Sequence, residues 1–152
     1  MASDERTGRC LCGATRYAIT AEPLTLYACH CTDCQTASGA SFTLTLVVEV
    51  AGIVTTQGSA EPCDRPQPSG RTKTIFRCPR CATALWGVRP DRPTLATVYA
   101  GTLDASASLA PIAHIFTRSA QPWVQIPEDA LRYEAQPPDM LEIVRAWKAR
   151  AH

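Results

Sequence analysis

Tyr27-Ala28-Cys29-His30-Cys31-Thr32-Asp33-Cys34-Gln35 sets three cysteines in a C-x-C-x-x-C spacing. A C-x-C pair, Cys10 and Cys12, stands upstream, and a C-x-x-C pair, Cys78 and Cys81, downstream. In an extended chain side chains i and i+2 share a side, so Cys29 and Cys31 can present both sulfurs to one point. Thr32 suits an N-cap and Asp33 the first turn of a short helix, which would carry Cys34 back toward that point. Gly39 suits the stop after this helix. Three thiolates with no cysteine next in line form the pattern of a zinc site that keeps one position for water or substrate. Together the three clusters read as ligands for two zinc ions, one closed and one open.

Length and composition bound the rest. The 152 residues suit a single domain with a real core. A net charge of +1 leaves no electrostatic footprint for nucleic acid or for an anionic membrane surface. No apolar run follows Met1-Ala2-Ser3-Asp4-Glu5-Arg6, so no signal peptide is expected. No segment approaches the roughly 18 apolar residues that span a bilayer. These features predict a cytoplasmic protein, where a reducing milieu disfavours disulfides and metal sites are the usual role of clustered cysteines.

Outward from the central stretch, most segments read as short strands. Ala14 to Thr20 and Leu24 to Cys29 alternate or run apolar, and Ser41 to Val50 carries the strongest β signal. Ile53 to Gln57 reads as a hairpin partner of the last. Residues 58–72, with Gly58, Pro62, Pro66, Pro68 and Gly70, read as a long loop of functional interest. Lys73 to Arg77, Thr83 to Val88 and Thr94 to Ala100 read as further strands. Ile112 to Phe116 and Trp123 to Ile126 are apolar patches. Asp139 is expected to cap a C-terminal helix of about residues 139–150, with Met140, Ile143, Val144 and Trp147 on one face. The fold class expected is therefore mainly β, one zinc-binding domain with its core over about 8–135. A structural thiolate zinc is worth about 10–16 kcal/mol coupled to folding, comparable to a domain's whole stability.

Taken together, Gly8-Arg9-Cys10-Leu11-Cys12-Gly13, Cys29-His30-Cys31-Thr32-Asp33-Cys34, Ser38-Gly39-Ala40-Ser41-Phe42 and Phe76-Arg77-Cys78-Pro79-Arg80-Cys81 resemble the glutathione-dependent formaldehyde-activating enzymes. That domain is shared with centromere protein V. His114-Ile115-Phe116 and Pro122-Trp123 resemble the C-terminal part of the same family. The resemblance implies a β-tent of folded antiparallel sheets. It implies that Cys10, Cys12, Cys78 and Cys81 hold a structural zinc and that Cys29, Cys31 and Cys34 hold a catalytic one. It also implies a small-molecule thiol substrate, glutathione, added to formaldehyde, which is carbon–sulfur lyase chemistry read in reverse. Two positions depart from the pattern: Ala82 stands where the family often has Gly, and Gln35 where it often has Arg.

The other readings of these residues are plainer. The central cluster is alternatively a second structural zinc, closed by Cys63, His30 or His114, in a non-catalytic binding module. Cys78 and Cys81 are alternatively a redox pair, although no βαβ setting surrounds them. Cys63 reads as a free thiol, His30 as outside the ligand set and His114 as a core histidine. Arg65, Arg71 and Lys73 read as a solvated face or as holders of glutathione carboxylates. Trp86, Trp123, Tyr99 and Phe116 read as core.

Overall fold

The computed structural model describes residues 6–150. Eleven strands and two α-helices lie among them, so the mainly β expectation holds. The chain groups into two compact units, residues up to 23 with 47–109, and residues 24–46 with 110 onward.

In the first unit, β1 (Arg6–Arg9), β2 (Arg16–Ile19) and β5 (Ile53–Gln57) form a three-stranded antiparallel sheet in the order β1-β2-β5. The expected hairpin between Ile53–Gln57 and the preceding strand does not form. Val50–Gly52 makes a single 3-10 turn, and β5 leaves it to pair with β2. Four more strands, β6 (Glu61–Pro66), β7 (Thr72–Arg77), β8 (Ala84–Arg89) and β9 (Arg92–Tyr99), run as an antiparallel meander. The loop expected over 58–72 is thus half strand. Pro62 and Pro66 are tolerated because β6 is an edge strand with β7 as its only neighbour among the described residues.

The unit's core forms where strand alternation turns large side chains inward. Tyr17, Ile19, Ile75, Leu85 and Val98 are buried, and Trp86 packs edge-on to Tyr17 at 5.5 Å and stacked on Phe76 at 5.4 Å. Gly8 sits opposite Tyr17 in the β1–β2 register, and a Cβ there would lie 2.5 Å from the phenol ring. Only glycine admits that ring. Lys73 lies with its ammonium 5.6 Å over the Tyr99 ring.

The second unit holds β3 (Thr25–Cys29), α1 (Thr32–Ser38), β10 (Ala113–Ile115), β11 (Leu131–Tyr133) and α2 (Met140–Arg150). β4 (Thr43–Glu49) starts in this unit and ends in the other. Where the first unit's pairing is antiparallel throughout, β10 here lies parallel to both β3 and β11. Cys29, Ala113, Ile115 and Ile143 form the core, with Tyr27, Leu131 and Met140 against it. α2 begins as its sequence predicts: the Asp139 carboxylate accepts from the Leu141 N–H at 2.9 Å, and Ile143 is its fully buried residue. No helix among the described residues is long and apolar enough to cross a membrane.

Candidate metal centres

Two loops of the first unit carry Cys10, Cys12, Cys78 and Cys81, and the loops are built alike. The Cys10 N–H donates to the Thr15 carbonyl and the Cys78 N–H to the Thr83 carbonyl, each at 3.0 Å. Each closure spans five residues and contains one residue in the left-handed region, Gly13 at φ +77° and Ala82 at φ +62°. Thr83 ties the loops together: its Oγ1 accepts from the Leu11 N–H at 3.1 Å and lies 3.0 Å from Cys81 Sγ. That hydroxyl is the first cause holding the Cys81 thiol down at about 5, followed by the backbone of Cys12.

The four sulfurs all lie within 4.8 Å of one another, with Cys10 to Cys12 at 3.6 Å and Cys12 to Cys78 at 3.9 Å. No disulfide joins them. Bonds of about 2.3 Å to a tetrahedral zinc give sulfur–sulfur edges of about 3.8 Å. The donor set and its spacing therefore fit a four-sulfur metal site. The Thr15 N–H also donates to Cys10 Sγ at 3.2 Å, as suits a sulfur that carries charge.

Ala82 occupies a backbone region that costs an L-residue roughly 1–2 kcal/mol. Glycine avoids that cost but is freer when unfolded, so Ala82→Gly is expected to stabilise the protein by about 0.5–1 kcal/mol. Urea unfolding reads this directly. The midpoint should rise with the slope unchanged, and an unchanged or lower midpoint refutes the account.

The second unit brings together Cys29, Cys31 and Cys34, again with all sulfurs within 4.8 Å of one another. β3 delivers Cys29, and the chain stays extended to Cys31 at φ −64°, ψ 151°. Cys31 itself, rather than Thr32, is the N-cap: its Sγ accepts from the Cys34 N–H at 3.3 Å. The expected cap was one residue late because sulfur here takes the place that oxygen usually fills. α1 then ends at Gly39, left-handed at φ +68°, whose N–H donates to the Gln35 carbonyl at 2.9 Å. Contacts with Cys31 and Cys34, then burial, push the Cys29 thiol far up. Three sulfurs brought this close suit a borderline-soft cation.

Among the described residues neither His30, His114 nor Cys63 joins either group of sulfurs. Cys63 is exposed on β6. His30 lies between two cysteines but is completely buried, and its Nε2 is 2.8 Å from Nδ1 of His114. Phe42 packs beside the pair at 5.1 Å from the His30 ring. Burial lowers His30, and burial, then His30, then Arg132 lower His114 to about 4, so both are neutral at neutral pH. One proton is shared between the facing nitrogens. His30 Nδ1 and His114 Nε2 are buried without a protein partner.

Gln35, Ser119 and Gln121 hold the ligand segment in place. The His30 carbonyl accepts from Gln35 Nε2 at 2.8 Å and from the Ser119 hydroxyl at 2.9 Å. Gln35 Nε2 also donates to the Ser119 carbonyl, and Gln121 Nε2 donates to Gln35 Oε1, both at 2.8 Å. Phe116, left-handed at φ +56°, turns the chain so that Ser119 reaches His30. Gln35 was visible as a departure from the family pattern, whereas Ser119 and Gln121 carried no signal. Trp123, expected in the core, is 71% exposed.

Residues 5–119 match the family profile described as glutathione-dependent formaldehyde-activating enzyme. A Halomonas elongata protein carried under the provisional name of glutathione-dependent formaldehyde-activating enzyme is 29% identical over 149 residues, 94% of each chain. A crystal structure of a Rhodobacter sphaeroides protein is similar in fold, with a TM-score of 0.51 at 14% identity, covering 84% of this chain and 98% of that one.

Proposed function

The chain belongs to the glutathione-dependent formaldehyde-activating enzyme family, and on that footing we propose that it is a zinc-dependent carbon–sulfur lyase and synthase. It joins a small thiol such as glutathione to formaldehyde or a related carbonyl. The observation that carries the reading is the inequality of the two clusters: four converging sulfurs in one, three in the other. In this reading Cys10, Cys12, Cys78 and Cys81 cage a structural zinc, while Cys29, Cys31 and Cys34 hold the catalytic one.

A zinc ion held by Cys29, Cys31 and Cys34 would supply a Lewis-acidic centre that lowers the pKa of an incoming thiol. The addition itself conserves atoms and electrons. The thiol loses its proton, a carbon–sulfur bond forms as the carbonyl π bond opens, and the former carbonyl oxygen takes up a proton. The product is an S-hydroxymethyl thiol adduct, and the reverse reaction splits it. The chain's own residues set the stage. Gln35 and Ser119 pin the His30 carbonyl and thereby the backbone between Cys29 and Cys31.

Metal analysis paired with product NMR tests the reading. Freshly purified protein is expected to carry one zinc per sulfur cluster and to accelerate formation of S-hydroxymethyl adduct beyond the spontaneous rate. No acceleration with any small thiol, or a fourth side chain permanently bound at the three-cysteine zinc, defeats it and favours a zinc-stabilised scaffold.

A further inference from the structure

Two buried polar side chains beside the three-sulfur cluster take no part in the chemistry above. His30 is fully buried and His114 is 4% exposed, with His30 Nε2 2.8 Å from His114 Nδ1 and the ring centroids 5.1 Å apart. Phe42 closes over both, 5.1 Å from one ring and 6.4 Å from the other. The remaining nitrogens, His30 Nδ1 and His114 Nε2, are buried without a protein partner.

Such a pair is a poor source of stability. Each ring gains one hydrogen bond, and a buried polar atom left without one costs more than one such bond returns. Two apolar side chains of similar volume would fill the same space without that cost. What the bond supplies instead is direction, because it holds only while each ring keeps its orientation.

That direction reaches the sulfurs through the chain between them. His30 is the middle residue of Cys29-His30-Cys31, and the middle side chain of an extended run points away from its two neighbours. The His30 N–H donates to the Ile115 carbonyl at 3.0 Å, and the His30 carbonyl accepts from Gln35 and Ser119. His114 stands on β10 in register with Ala28, one residue before Ile115. One strand therefore grips His30 both by its backbone and by its ring. With both held, the C-x-C segment cannot roll about its own axis, and the side on which Cys29 and Cys31 present their sulfurs is fixed. Those two sulfurs and that of Cys34 lie within 4.8 Å of one another.

We propose that His30 and His114 are positioning residues for the three-sulfur metal site: the bond between their rings sets the roll of the C-x-C segment so that both of its sulfurs meet one ion. This rests on that cluster holding a metal, as the functional reading above requires.

The test reads metal affinity and stability separately. Combining His30→Leu with His114→Leu removes both rings and leaves no buried nitrogen behind, so the double variant should melt at or above the midpoint of the unaltered protein. It should nevertheless yield one zinc ion to a competing chelator about 10–100 times more readily. That ion is the one Cys31→Ser also loses, and the other should be held as before. Cobalt(II) at the same cluster should show altered ligand-field bands. His114→Asn, whose amide keeps a polar atom near the place of Nδ1, should hold the ion close to the unaltered affinity. A stable double variant that binds both ions as tightly as the unaltered protein overturns the proposal. A double variant that unfolds makes the pair structural and overturns it as well. Weakened binding in a protein that adds no thiol to formaldehyde sustains the positioning role and defeats only the catalytic reading. An unaltered protein that binds no ion at the three cysteines overturns both.

Discussion

On the proposed two-zinc reading, Cys78→Ser is expected to abolish cooperative folding of the unit that contains it and to lower bound zinc by one ion per chain, the one assigned to the four-sulfur cluster. The size of the effect follows from where the residue sits. Cys78 is 1% exposed, its N–H closes one loop on the Thr83 carbonyl, and its sulfur lies 3.9 Å from that of Cys12 in the other loop. That sulfur lies where the loop after β7 meets the loop after β1. A thiolate zinc site contributes about 10–16 kcal/mol of apparent binding energy, against total domain stabilities of about 5–15 kcal/mol. If the four sulfurs hold zinc as proposed, loss of one of them removes a share as large as the margin on which the fold stands. A serine oxygen is a harder donor on a shorter bond and does not restore it. Cys63→Ser is the matched control, since Cys63 is exposed and belongs to neither cluster. It should change stability by no more than about 0.5 kcal/mol. Metal analysis with thermal melting of both variants decides the matter. If Cys78→Ser keeps two zinc ions and melts like the control, the four-sulfur cluster is not structural.

How much of this was legible beforehand depended on the range of the interaction. The C-x-C-x-x-C run and the two cysteine pairs were legible because their geometry is local, i and i+2 in an extended segment or one helical turn; that Cys10 and Cys12 meet Cys78 and Cys81 came only with the family resemblance. The cap of α2 at Asp139 and the stop of α1 at Gly39 were legible for the same reason. Pairings set by distant chain were not. Ile53–Gln57 reads as a strand, yet nothing within it says that its partner is β2 and not the strand just before it. Leu131-Arg132-Tyr133 lacks an apolar run and becomes a strand only because β10 lies beside it in parallel. Prolines hid β6 because their veto on a strand is lifted at a sheet edge. Trp123 misled for a different reason. Size and hydrophobicity argue for burial, and only the fold reveals an indole left 71% exposed beside a groove. The Gln121–Gln35–His30 chain of hydrogen bonds joins residues far apart in sequence, and neutral amides announce no chemistry by type.

Cys31→Ser offers the complementary outcome, loss of the reaction without loss of the fold, and the structure gives it an unusual clarity. Cys31 has two roles that serine separates. As N-cap of α1 its sulfur accepts the Cys34 N–H at 3.3 Å, and serine is among the best residues for that position. As one of three converging sulfurs it is a candidate metal ligand, and there a hydroxyl is a poor substitute for a thiolate. The helix should therefore persist, held also by the Gly39 cap and by Gln35 and Ser119 on the His30 carbonyl. Removal even of a residue that merely orients a metal ligand costs about 10–100-fold in affinity or activity. Loss of a direct ligand from a three-sulfur site is expected to cost at least about a hundredfold in the rate of thiol–formaldehyde addition. Circular dichroism and the melting transition should stay close to those of the unaltered chain, with the four-cysteine zinc retained. An outcome in which Cys31→Ser unfolds like Cys78→Ser would make both clusters structural. Undiminished activity in a folded Cys31→Ser would move the chemistry away from this cluster altogether. Between those results lies the physical content of the proposal: one sulfur cluster that the fold requires, and another that the fold leaves one ligand short for a substrate to complete.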